Sequence, residues 1–122
     1  MQRAWFVTGT DTGVGKTLVS AALLMALART GRHVVGMKPV ASGCDATPHG
    51  LRSADAEALR VAGNVAADYE DINPYALAAP TAPHLAAEAA GVQIDIAAIR
   101  AHYARLAARA DDVVVEGIGG WL

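Results

Sequence analysis

Ala4-Trp5-Phe6-Val7-Thr8-Gly9-Thr10-Asp11-Thr12-Gly13-Val14-Gly15-Lys16-Thr17-Leu18-Val19 is the stretch whose reading decides the fold. It opens on a short apolar run, Ala4 to Thr8, rich in β-branched and aromatic residues, which predicts a buried strand. A glycine-rich loop follows, and from Lys16 to Arg29 leucine and alanine dominate, with Val19, Leu23 and Leu27 at helical spacing and Gly31 placed as a C-terminal cap. Strand, glycine loop and helix in that order are the context a phosphate-binding loop, or P-loop, requires. Glycines let backbone N–H groups converge on phosphate oxygens at a helix N-terminus, Lys16 adds a cation and the Thr17 hydroxyl is placed to ligate Mg²⁺. The four-residue frame of the motif begins at Thr10, since five residues separate Gly9 from Gly15. A dinucleotide fingerprint is disfavoured, because Lys16-Thr17-Leu18 offers no small third residue for close packing.

Working outward, His33 to Met37 repeats the apolar strand pattern, so the two strands and the helix between them form a βαβ unit, right-handed and parallel. Lys38 to Leu51 reads as a long loop broken by Pro39, Gly43, Pro48 and Gly50, and a helix is predicted from about Ser53 to Ala62. Residues 64–82 read as mostly irregular, with Thr81 as the cap of a short helix running to Ala90. Asp95 caps a clearer helix in which Ile96, Ile99, Tyr103 and Leu106 share a face. Val113-Val114-Val115 then predicts a strand buried on both sides, ending in Glu116-Gly117-Ile118-Gly119-Gly120. The fold class expected is α/β, a P-loop NTPase-type parallel sheet flanked by helices. With three predicted strands and a terminus two residues past a glycine turn, residues 1–122 read as the N-terminal part of a single domain, truncated.

Composition narrows the function classes. The 122 residues carry 12 acids and 10 bases, a net charge of −2, with no basic block to attract nucleic acid or an anionic membrane. The longest nearly apolar stretch, Leu18 to Ala28, is about half of the ~20 residues a bilayer needs. No secretory h-region opens the chain, and the single Cys44 cannot form an internal disulfide, which points to a reducing cytoplasm. One cysteine and four scattered histidines give no zinc pattern and receive no role.

Two further features carry chemistry. Glu116 ends an apolar strand at the edge where open parallel sheets bind ligands, and there it is a candidate for Mg²⁺. Lys38-Pro39-Val40-Ala41-Ser42-Gly43 leaves the second strand at the same edge, so Lys38 is placed to meet a second anion beside a γ-phosphate. Asp55 is another metal candidate, although an acid in a first helical turn is equally well accounted for by the helix dipole.

Taken together, these residues resemble the dethiobiotin synthetases. The resemblance rests on Gly9 to Thr17, Lys38 to Gly43, Asp55 after Gly50-Leu51-Arg52, Asn73-Pro74-Tyr75, Ala79-Pro80-Thr81-Ala82-Pro83-His84 and Val115 to Gly120, in the family's order. It covers the whole chain and the N-terminal part of the family's protein; Ile118 stands where the family has a small residue. It implies that diaminopelargonic acid and CO₂ give a carbamate, which ATP phosphorylates before the second amine closes a cyclic urea. Carried over residue by residue, Asp11, Thr12, Gly13, Val14, Gly15, Lys16 and Thr17 meet the nucleotide. Lys16, Lys38 and Ser42 meet the carbamate, Thr12 orients it, and Thr17, Asp55 and Glu116 hold Mg²⁺. A homodimer is also implied. The rival class is the switch ATPase of the partition-ATPase or iron-protein type; those proteins resemble one another in a lysine five positions before the P-loop lysine, where this chain has Asp11.

Overall fold

The computed structural model describes residues 2–9 and 14–117, Val14 by its backbone only. Three parallel strands form the central sheet: β1 (Arg3–Val7), β2 (Val34–Met37) and β7 (Asp112–Glu116), in the order β1-β7-β2. The last strand therefore lies between the first two. Its register sets Val7 opposite Glu116 on one side and Met37 opposite Val115 on the other. Every residue of β7 is buried, as the β-branched run predicts for a central parallel strand.

Helices cover both faces. Val113 and Val115 pack with Val35, Met37, Ile72 and Leu106, while Val114 and Val34 face Leu24 and Leu59 on the other side. At roughly 1.5–3 kcal/mol for each fully buried aliphatic side chain, the three β7 valines make this strand the centre of the core. Helix α1 (Val14–Arg29) starts two residues before the predicted Lys16, and Gly31, at φ 87°, ends it by donating its N–H to the Ala28 carbonyl at 3.0 Å. It packs against α2 as well as the sheet, while Leu18, Val19 and Met25 are exposed; among the described residues no strand flanks β1 on its outer side.

The long loop is more ordered than its prolines and glycines indicate. It holds β3 (Val40–Ala41) and a hairpin of β4 (Asp45–Thr47) and β5 (Gly50–Arg52), with Gly50 at φ 101°. Residues 64–82, expected to be mostly irregular, contain α3 (Tyr69–Ile72) and β6 (Tyr75–Ala76), which pairs in parallel with β3. Both strands are only two residues long, too short for a period-2 pattern to register.

Helix α2 (Ala54–Ala62) starts one residue after the predicted Ser53, which caps it, its side chain accepting from the Ala56 N–H. Helix α4 (Pro83–Ala89) starts after Ala82, so Thr81 is not its cap; proline at the first helical position removes one of the donors a cap would serve. In α5 (Ile96–Ala107) Asp95 caps as expected, Leu106 is buried, and Ile99 and Tyr103 pack on the core, but Ile96 is 56% exposed. No described helix is long and apolar enough to cross a membrane.

Candidate active site

The strand order builds the site. Because β7 is central, its last residue, Glu116, emerges between the loop leaving β1, which leads into Lys16 and Thr17, and the turn leaving β2, which begins with Lys38. Three segments far apart in sequence thus meet at the C-terminal edge of the sheet, where open parallel sheets bind ligands.

Glu116 is 1% exposed. Its Oε2 accepts from the Thr17 hydroxyl at 3.0 Å and from the Lys38 ammonium at 2.9 Å. Lys38 Nζ also lies 3.7 Å from Asp55 Oδ2, so one buried cation is shared by two carboxylates. Asp55 does sit in the first turn of α2, where the dipole favours it, and its side chain reaches into the site as well. Lys16 donates from Nζ to the Gly117 carbonyl at 3.0 Å, which tethers the loop lysine to the residue after β7. Ser42 is half-buried in the turn after β3. Asp11, Thr12 and Gly13, and also Ile118, lie outside the described residues.

Fit to a divalent cation is tested by the buried atoms. Glu116 Oε1 is buried with no hydrogen-bond partner, an arrangement that costs free energy unless something else satisfies it. With Asp55 and the Thr17 hydroxyl it offers the hard oxygen donors Mg²⁺ prefers. Among the described residues no group of three His, Cys, Asp or Glu side chains could hold a metal. The oxygen donors gathered around Lys38 and Glu116 are two carboxylates and a hydroxyl. Gly15 fits a cradle too: a Cβ there would meet nothing within 4 Å, so no packing partner within the described chain occupies the space beside it.

Two other polar groups, Cys44 and Asp71, have partners within the scaffold. Burial pushes the Cys44 thiol up from its ordinary pKa, which keeps it protonated and unreactive. His102 and Arg105 of α5 both contact Asp71 of α3; burial would raise that carboxyl, but its hydrogen bonds to His102 and Arg105 outweigh burial and hold it below the usual range.

Comparison with known proteins fits this geometry. The family model described as an AAA domain matches residues 3–122. The chain belongs to this AAA domain family. Its P-loop α/β architecture is that of the parallel sheet and flanking helices described above. The chain is 56% identical, over 97% of its length, to a Xanthomonas axonopodis protein named ATP-dependent dethiobiotin synthetase BioD, covering 53% of that protein. Proteins of the same name from Nitrosospira multiformis and Vibrio vulnificus are 54% and 52% identical over 100% and 99% of the chain, which covers 52% and 53% of them. The chain spans about half the length of the curated relatives it matches.

Proposed function

We propose that this chain is the N-terminal part of the single P-loop domain of an ATP- and Mg²⁺-dependent dethiobiotin synthetase, a cytoplasmic homodimer acting on diaminopelargonic acid and CO₂. The observation that carries the reading is the convergence of Thr17, Lys38, Asp55 and Glu116 at one sheet edge beside Lys16. The identity of more than half of the aligned residues to proteins of that name supports it.

An amine of the substrate adds to CO₂ and loses a proton, giving a carbamate anion. A carbamate oxygen then attacks the γ-phosphorus and ADP departs; the second amine attacks the activated carbonyl and expels phosphate, closing the urea ring. Phosphoryl transfer of this kind needs alignment and charge neutralisation more than covalent help. Lys16 neutralises the phosphates and the incoming carbamate, and Thr12 orients the carbamate. Lys38, with Ser42, holds the carbamate: its ammonium exchanges carboxylate partners for an anion of the same charge. Asp11 to Thr17 enclose the nucleotide, and Thr17, Asp55 and Glu116 hold Mg²⁺, which when bound offsets the charge of the phosphates.

The test follows ADP release by the full-length protein with and without the diamine and bicarbonate. ADP release is expected to depend on the diamine, and Lys16→Ala should lower it about 30- to 1000-fold, the equivalent of roughly 2–4 kcal/mol of lost transition-state stabilisation. Turnover that ignores the diamine and responds to a macromolecular partner would identify a switch ATPase instead.

A further inference from the structure

Lys38 and Asp55 stand on different segments, and a partly buried chain of hydrogen bonds outside the charged site links the two backbones. The Ser53 N–H, at the cap of the helix that carries Asp55, donates to the Tyr69 hydroxyl at 2.7 Å. That hydroxyl donates to Asn73 Oδ1 at 2.8 Å, and Asn73 Nδ2 donates to the Lys38 carbonyl at 2.8 Å. The Lys38 N–H is held by the Ile72 carbonyl at 2.7 Å, so α3 and its C-terminal residue grip the lysine peptide from both sides. Asn73 is 2% exposed and its Nδ2 also reaches the Tyr75 carbonyl at 3.3 Å. The Tyr69 ring is fixed independently, with the Arg52 guanidinium 4.0 Å from its centroid and Arg52 bonded to Glu57.

Each member of this chain has both of its roles filled. The phenol must stay neutral to accept and donate at once, and burial raises its pKa, which keeps it so. Neither Tyr69 nor Asn73 carries a charge or bonds to the side chains of Thr17, Lys38, Asp55 or Glu116. What the chain ties together is backbone: the Ser53 N–H and the Lys38 carbonyl are pinned to one asparagine–phenol pair, and from those two segments the Asp55 and Lys38 side chains approach to 3.7 Å.

We propose that Tyr69 and Asn73 are positioning residues that set the placement of Asp55 relative to Lys38, and through it the affinity of the site for Mg²⁺ and the alignment of the carbamate. The kinetic half of this proposal rests on the functional reading above. Misplacements of about 1 Å remote from the reacting atoms cost on the order of 100-fold in well-aligned sites.

The experiment uses the full-length protein and compares Tyr69→Phe and Asn73→Asp with the parent. Tyr69→Phe keeps the ring beside Arg52 and removes only the hydroxyl. Asn73→Asp keeps an acceptor for that hydroxyl and removes the donor to Lys38. Calorimetric titration of Mg²⁺ in the presence of ADP should show affinity lowered about 10-fold in each. The kcat for diamine-dependent ADP release should fall about 10- to 100-fold, while metal-free ADP affinity stays within about two-fold. A merely structural role would lower Tm and leave Mg²⁺ affinity and kcat of the folded variant unchanged; that result overturns the proposal, as does a parallel loss of ADP affinity. If one variant does not fold the other decides, and if neither folds the pair holds the fold together and the positioning role is refuted. A parent that ignores the diamine defeats the functional reading alone, and the Mg²⁺ titration still decides this inference.

Discussion

Removing the ammonium of Lys38 tests the electrostatic logic of the site. Lys38→Ala leaves Glu116, 1% exposed, bonded only to the Thr17 hydroxyl and facing the Asp55 carboxylate with no cation between them. Breaking a buried ion pair by deleting one partner typically costs about 3–5 kcal/mol, because the remaining charge stays desolvated. Asp55 is 37% exposed and partly screened by solvent, so its contact with Lys38 adds little and the lower end, about 3 kcal/mol, applies. For a chain of this size that is a fall in Tm of roughly 10–15 °C. The variant also gains something, since two carboxylates and a hydroxyl now surround space that an ammonium filled. Mg²⁺ at 100 times its dissociation constant would return about 2.7 kcal/mol to the folded state. Thermal and urea unfolding followed by circular dichroism, with and without Mg²⁺, should show a destabilised variant that the ion largely rescues and a parent that responds less. Equal stability of parent and variant without the ion would mean the Lys38–Glu116 contact is not an energetic pair. Loss of stability that Mg²⁺ fails to restore would remove the carboxylates from metal binding.

Two further predictions concern the scaffold. A Cβ at Gly36 would lie 2.8 Å from Leu59 Cβ and 3.0 Å from Leu24 Cδ1, so Gly36→Ala should destabilise by about 1–3 kcal/mol in urea titrations, whereas no loss would mean β2 and its helices shift freely. Asp112 is fully buried and accepts from Arg3 at 3.0 Å, from Trp5 at 3.1 Å and from Arg32; burial would raise its carboxyl, but the bonds to Arg32, Trp5 and Arg3 outweigh it and depress the pKa. The unfolded chain therefore binds that proton more readily, so the stabilisation is present above the ordinary carboxylate value of about 3.9 and is lost as pH falls through the lower folded value. Asp112→Asn should be less stable than the parent at pH 7 and flatter on the acid side of a stability–pH curve; an unchanged acid limb would count against it.

The parts of this protein that sequence made legible are those with a strong local signature. Val113 to Val115, the Asp95 cap, the helix start near Ser53 and the Gly31 stop all act through neighbouring residues, and each appears where its local chemistry puts it. Val40–Ala41 and Tyr75–Ala76 escaped because their pairing depends on partners more than thirty residues away, with nothing local to announce it. The site divides along the same line. Lys38 and Glu116 are legible from their places at strand ends, and Asp55 has two explanations that the folded chain combines. Asn73 enters the sequence reading only through the resemblance, and Tyr69 carries no local signal, since its hydroxyl matters only through Ser53 and Asn73.

The insertion of β7 between β1 and β2 also orders events in time. Neither early strand pairs with the other, and β1 waits for partners 109 residues downstream, as Arg3 does for Asp112. On a ribosome adding about 5–20 residues per second, the first strand spends several seconds with open hydrogen-bonding edges. Pairing at such separation is entropically late and slow. The Glu116 carboxylate arrives with the strand that joins β1 to β2, so the pairing that unites these two strands also brings in the charged centre.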